Sequence, residues 1–353
     1  MKKSIANKSV KRNMLGSLRR IFRHGYAIDL GTANTLIYTP GSGIVLNEPS
    51  IVAVQLRPPR LLAVGNEAKK LYGKSHPNVE TARPLKDGVI ADFNKTNLMV
   101  RTFIKMVNHG FHLTRPTLVI GVPSGTTQVE KKAVIDAAMQ ASAKEVHLIE
   151  EPMAAAIGAK LPVHTPKGHM IVDIGGGTTE IAVISMFSTV YSESLRVAGD
   201  EMDEAIVRYI RKRYGLQIGI FEAEKLKILL GSAVQLPNTV EMSTIGRDVI
   251  EGVPREFRIT DKDIFEALQD PVNAIVESVL KGLSYASPEI AGDIMENGVV
   301  LAGGGSLLRN LHLRIHKATG LKVARVKSPL IVVVLGAGTV LENFGLYKQT
   351  CIV

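Results

Sequence analysis

The sequence predicts an α/β protein made of two related halves, and three observations carry that expectation. Aliphatic runs of strand length alternate with helix-like stretches along most of the chain. A strand–turn–strand segment whose first strand ends in aspartate occurs twice, at residues 26–35 and 170–179. A third aliphatic run, at residues 299–302, passes directly into Gly303, Gly304, Gly305 and Ser306.

Composition permits cores of this size. At 353 residues, with 45% hydrophobic and 22% charged side chains, the chain is long enough for two domain-sized cores, and disorder is not expected. Most of the +10 formal charge sits at the front, where Lys2, Lys3, Lys8, Lys11, Arg12, Arg19, Arg20 and Arg23 occur with no acidic residue among residues 1–24. The remaining chain is close to neutral, so no nucleic-acid partner is expected.

Within that basic segment Met14, Leu15, Leu18, Ile21 and Phe22 fall on one helical stripe, while the cations project largely elsewhere. A helix patterned in this way suits a bilayer interface, with its apolar face among acyl chains and its cations on anionic headgroups. A disordered basic tail, a helix docked on the body and an organellar transit peptide are the alternatives for the same composition. No run of about 18 apolar residues is present, so no membrane span is expected. The longest aliphatic run, at residues 330–335, is of buried-strand length. The single cysteine, Cys351, cannot form an intrachain disulfide or a thiolate metal cage, which fits a reducing compartment.

The first repeated segment places Asp29 before Gly31, Thr32, Ala33 and Asn34; the second places Asp173 before Gly175, Gly176, Gly177, Thr178 and Thr179. Glycine lets the backbone approach a phosphate with its N–H groups pointing inward, and the threonine hydroxyls add donors. An aspartate at each strand end supplies a carboxylate for water-coordinated Mg²⁺. Two such hairpins suggest a duplicated fold that clamps a nucleotide from both sides.

Between the hairpins, residues 118–122 read as a strand and 128–143 as a helix. Residues 146–149 and 153–159 repeat that scheme, with Pro152 suited to a helix first turn. The glycine-rich turn at 303–306 suits close passage beside a base or ribose, and a helix is expected to start near Leu307. Neither G-x-G-x-x-G nor G-x-x-x-x-G-K-[ST] is present, which argues against Rossmann and P-loop sites.

Taken in order, residues 29–35, 46–50, 86–93, 149–158, 173–180 and 303–309 resemble the motifs of the MreB family of bacterial actins, from about residue 26 to Glu342. The resemblance implies an actin-like fold of two lobes with duplicated RNase H-like cores, and ATP or ADP with Mg²⁺ in the cleft between them. The lobes would be residues 25–160, with a small insertion at about 50–95, and 161–342, with one at about 200–265. The chain would return to the first lobe before a short tail at 343–353.

Carried over position by position, Thr32, Ala33 and Asn34 resemble the first phosphate loop and residues 175–179 the second. Asp29 and Asp173 would hold Mg²⁺ through waters. Glu151 would position the attacking water with help from Thr178, and Glu150 is the competing candidate. Glu224 and Lys227 resemble the pair that touches ribose and adenine, although Gly219-Ile220 departs from the family's Gly-Glu at that point; a plain ion pair between the two is the alternative. Gly303, Gly304, Gly305 and Ser306 complete the implied nucleotide contacts.

The resemblance further implies self-assembly into paired protofilaments and a peripheral location on the inner face of the cytoplasmic membrane. Attachment would run through the N-terminal helix and a loop carrying Phe111 and Leu113, with a local core as the alternative role for those two residues. Implied partners are cell-wall elongation proteins such as MreC, MreD and RodZ. The resulting expectation is an ATPase whose filaments direct cell-wall synthesis and maintain cell shape. An Hsp70-like chaperone shares the phosphate loops but carries a substrate-binding domain after them, for which no room is expected between Glu342 and Val353. A small-molecule kinase would need an aspartate base and a sugar pocket, and DNA-segregating actin relatives remain a fold-level alternative.

Overall fold

The computed structural model describes residues 25–74, 77–108 and 115–352. The basic segment 1–24 and the loop with Phe111 and Leu113 lie outside the described residues. Among the described residues no helix is long and apolar enough to cross a membrane.

The chain opens on an antiparallel meander of β1 (Gly25–Leu30), β2 (Asn34–Thr39) and β3 (Gly43–Pro49). It then forms an accessory three-stranded sheet from β4 (Val52–Leu56), β5 (Pro59–Val64) and β6 (Val79–Ala82), followed by the short ribbon of β7 (Leu85–Lys86) and β8 (Val89–Ile90). Two further strands, β9 (Thr117–Val122) and β10 (Glu145–Glu150), return in parallel beside β1, giving the order β10-β9-β1-β2-β3.

The second half repeats that path. The meander is β11 (His169–Ile174), β12 (Thr179–Ser185) and β13 (Ser188–Leu195); the accessory sheet is β14 (Leu216–Gln217), β15 (Glu241–Asp248) and β16 (Pro254–Thr260). The parallel return is β17 (Val299–Ala302) and β18 (Val323–Arg325), giving β13-β12-β11-β17-β18. Identical strand order and polarity in both sheets establish the duplication that the paired hairpins predicted.

Alternation along the strands sorts side chains into separate cores. In the first sheet Tyr26, Ile28, Leu118 and Ile120 pack outward with Met99 and Phe103, while Ala27 and Val119 face the other way. In the second, Met170, Val172, Ile181 and Val183 join an outer core, while Ile171 and Ala182 face inward. Both inward faces close on two helices, Glu151–Gly158 and Val332–Glu342, whose apolar side chains form the shared middle layer.

These helices cross at backbone contact. A Cβ on Gly158 would lie 2.0 Å from the Val332 carbonyl oxygen, and one on Gly336 would lie 1.8 Å from that of Ala154. Only glycine fits at either position.

Two sequence expectations are corrected here. The aliphatic run at 330–335 is no strand; its residues 332–335 start the helix Val332–Glu342, because burial against the other middle-layer helix outweighs β propensity. The helix expected near Leu307 begins instead at Leu311, after a 3₁₀ turn at Gly304–Leu307 that follows Gly303, whose φ of 75° suits glycine.

Candidate functional site

The two aspartate-ended hairpins occupy equivalent places. Asp29 lies opposite Leu36 and beside Gly121; Asp173 lies opposite Glu180 and beside Ala302. The turns have the same cause, since a Cβ on Gly31 would meet the Asn34 carbonyl oxygen at 2.6 Å and one on Gly175 the Thr178 carbonyl oxygen at 3.2 Å. The turns also touch each other. A Cβ on Gly176 would lie 2.8 Å from that of Ala33, and one on Gly177 would lie 2.7 Å from Thr32 Oγ1. Thr32 Oγ1 in turn accepts the Gly88 N–H at 3.1 Å.

Between them opens a cleft of about 650 Å³, within the range of roughly 300–1,000 Å³ common for small-molecule sites. Its lining includes Asp29, Thr32, Ala33, Asn34, Glu151 and Asp173. Gly175, Gly176, Gly177, Thr178, Glu224, Lys227, Gly303, Gly304 and Gly305 complete the expected set. Two expected contacts are not among the lining residues. Thr179 is fully buried and its hydroxyl donates to the Val197 carbonyl; Ser306 is buried and its hydroxyl donates to that of Gly303. Both side chains brace the loops from behind, since their hydroxyls are spent on local backbone. Glu150 is likewise outside the cleft, accepting a 2.9 Å hydrogen bond from Thr189, so Glu151 alone of the pair faces the cavity.

The floor is strongly acidic. Burial first, and then Asp29, Glu180 and Asp173, push the Glu151 carboxyl well above its ordinary range. Burial followed by Asp29 and Glu180 does the same to Asp173. Burial alone raises Asp29 to about 7, and it raises Glu180 to about 7 against hydrogen bonds from Ser194, the Ser124 N–H and Thr178. Among the described residues no lysine or arginine forms an ion pair with any of these four. Nor do three acidic, histidine or cysteine side chains converge closely enough to hold a metal unaided. A hydrated divalent cation shared between Asp29, Asp173 and a phosphate fits this donor set, because it supplies the missing positive charge without needing a protein cage.

The raised carboxyls set a pH dependence. A carboxyl that binds its proton more tightly when folded contributes stability near pH 4, and that contribution is lost as pH rises towards about 7. We therefore expect the melting temperature of the nucleotide-free protein to fall between about pH 5 and 7.5, and Asp29→Asn to flatten that fall. Parallel pH profiles for the two proteins would contradict the assignment.

Second-half helices brace the second loop. The N-terminus of the helix Gly199–Tyr214 abuts the second loop, with the Gly199 N–H donating to the Gly175 carbonyl at 3.2 Å and the Asp200 N–H to that of Gly176 at 2.7 Å. Lys227 reaches the same place from the helix Ile220–Leu230, pairing with Asp203 at 2.8 Å and donating to the Gly199 carbonyl at 2.8 Å. It does not pair with Glu224, whose nearest cation is Lys69 at 3.9 Å. Gly88, Gly199, Asp200 and Asp203 line the cleft without having been expected there. The first stands in the quoted 86–93 segment; the other three carry no local signal, since they arrive through helix packing.

Comparison with known proteins identifies the family and the fold. The family model described as "MreB/Mbl protein" matches residues 23–349. The chain is similar to the cell shape-determining protein MreB of Escherichia coli K12, 48% identical over 339 residues, covering 95% of this chain and 98% of that protein. It is also similar to the cell shape-determining protein Mbl of Bacillus subtilis, 42% identical over 323 residues, covering 92% and 97%. Among solved structures it resembles MreB5 of Spiroplasma citri, at a TM-score of 0.87 and 35% identity over 93% of this chain and 98% of that one. The MamK double helical filament, 23% identical with a TM-score of 0.78 over 91% and 99% of the two chains, shares the actin-like fold. By sequence along nearly its whole length and by its duplicated two-sheet architecture, the chain belongs to the MreB/Mbl family.

Proposed function

We propose that this chain is an ATP-dependent, filament-forming bacterial actin that acts in cell-shape determination on the inner face of the cytoplasmic membrane. The observation that carries the reading is the meeting of the two aspartate-ended hairpins across one cleft. The relatives' names as cell shape-determining proteins support the cellular role, and the solved structures of MreB5 bound to ADP and to AMPPNP support the nucleotide. The two halves act as lobes 25–160 and 161–342, with 343–353 as a tail.

In this reading the loop residues 32–34 and 175–178 cradle the phosphates from opposite sides, while Gly303, Gly304 and Gly305 admit the base and ribose beside Glu224. Mg²⁺, held through waters by Asp29 and Asp173, would neutralise charge on the phosphates and on the acidic floor. Glu151 orients a water in line with the terminal phosphate, assisted by Thr178, whose side chain hydrogen-bonds Glu180. Phosphoryl transfer needs positioning and charge neutralisation more than a strong base, which this site supplies.

Filament formation multiplies weak membrane contacts from the basic segment 1–24 and from Phe111 and Leu113. Sedimentation with ATP, with and without anionic vesicles, tests both parts. The full chain is expected to pellet with ATP and to co-sediment with vesicles, and the chain lacking 1–24 to lose most vesicle binding. Protein that stays monomeric at high concentration in every nucleotide state would refute the filament, and undiminished vesicle binding by the truncated chain would refute the anchor.

A further inference from the structure

Phe221 begins the helix Ile220–Leu230 in the second half, yet it packs against a small cluster of first-half residues, Ile51, Ala53 and Ala68, together with Tyr72. The same helix buries Ala223, Leu226 and Leu230 in the second half's own core. Phe221 lies off that stripe and takes no part in that core.

The ring pair and both cation contacts of Phe221 cross from one half to the other. The Tyr72 ring meets it edge-on, with centroids 5.3 Å apart at 63°. Lys69 Nζ stands 4.6 Å from the ring centroid, and the Arg83 guanidinium carbon 5.9 Å from it. The same two cations continue to the second half's carboxylates, Arg83 to Asp200 at 2.8 Å and Lys69 to Glu224 at 3.9 Å. Asp200 and Glu224 line the cleft, so these bridges close over its mouth.

We propose that Phe221 is the bolt of a latch holding the two halves closed over the nucleotide, and that nucleotide release waits on its withdrawal. The proposal rests on the reading that nucleotide occupies this cleft. Opening the halves pulls the ring out of its apolar seat, away from the Tyr72 edge and from both cations, so each contact weights the closed state. The exposed Lys69–Glu224 pair contributes little, while the half-buried Arg83–Asp200 bridge works beside the aromatic contact in holding the halves together. The ring is not part of the second half's own core, so its replacement leaves that core intact and suits a test.

Release of a fluorescent ATP analogue, chased with excess ATP, measures the latch directly. Phe221→Ala is expected to release it about tenfold faster, equivalent to about 1.4 kcal/mol, with a smaller change in association. Tyr72→Ala is expected to act in the same direction, and the double variant to fall short of the product of the two effects, because both remove one shared contact. Release at the unaltered rate in both single variants would overturn the proposal.

A second measurement is independent of nucleotide. Spin labels at the exposed positions 70 and 225, in a Cys351→Ser background, report the distance between halves in the nucleotide-free protein. Phe221→Ala is expected to populate longer distances and Phe221→Tyr to restore the short ones. An unchanged distribution in Phe221→Ala refutes the latch. Failure of the unaltered protein to bind the analogue would instead overturn the nucleotide reading and the release step with it, while the label distances still decide whether Phe221 holds the halves together.

Discussion

Glu151→Gln is expected to bind ATP as tightly as the unaltered protein and to release phosphate at least about 100-fold more slowly, the usual scale for losing a positioned proton acceptor. The residue opens the helix Glu151–Gly158, where Pro152 and the buried residues after it leave the carboxylate little freedom. Its Cγ would lie 3.5 Å from a Cβ on Gly121, so the side chain runs close beside β9. Glutamine keeps the shape but cannot take up a proton, which separates a proton-accepting role from simple space filling. Single-turnover phosphate release, measured beside equilibrium nucleotide binding, gives the answer. Glu150→Gln is the matched control, because Glu150 is spent on Thr189 and should leave turnover near normal. Unchanged turnover in Glu151→Gln would remove Glu151 from the mechanism.

Gly336→Ala is expected to lower the melting temperature by about 1–4 °C. Helix propensity alone predicts the opposite sign, since alanine is favoured over glycine in a helix interior by about 1 kcal/mol. The new methyl group would sit 1.8 Å from the Ala154 carbonyl oxygen, and a backbone atom cannot swing aside as a side-chain end can. The helices must separate, which opens the middle layer that both sheets share, and overpacking of this kind costs about 1–3 kcal/mol beyond the propensity gain. Gly292→Ala supplies the contrast, being helical with open space around it, and is expected to be neutral or slightly stabilising. A thermal scan in which Gly336→Ala matches or exceeds the unaltered protein would show that the crossing is looser than its geometry indicates.

The legible and illegible parts of the protein divide along a physical line. The hairpins at Asp29 and Asp173 were readable because strand end, carboxylate and glycine turn are adjacent in the chain, and their repetition predicted the repeated topology. Glu151 was readable only as one of two neighbouring acids; the structure separates them by turning Glu150 to Thr189 and Glu151 to the cleft. Thr179 and Ser306 were placed at the site by their position in a motif, yet adjacent residues on a strand or tight turn face different ways, and these two face the protein. The run at 330–335 has the composition of a strand and becomes largely helical because its partner surface is a helix with a glycine at the crossing.

By itself, the sequence determined the α/β class, the duplication, the aspartate-ended glycine turns and the concentration of positive charge in residues 1–24. These are properties of neighbouring residues and their periodicity, which local backbone preference and burial enforce wherever the segment sits. Tertiary structure alone decided the pairing of Lys227 with Asp203, the backing of the second loop by Gly199, and the seating of Phe221 in the other half's cluster. Each of these joins residues distant along the chain, and the energy that selects them exists only once both sheets have packed on the shared helices and fixed the width of the cleft.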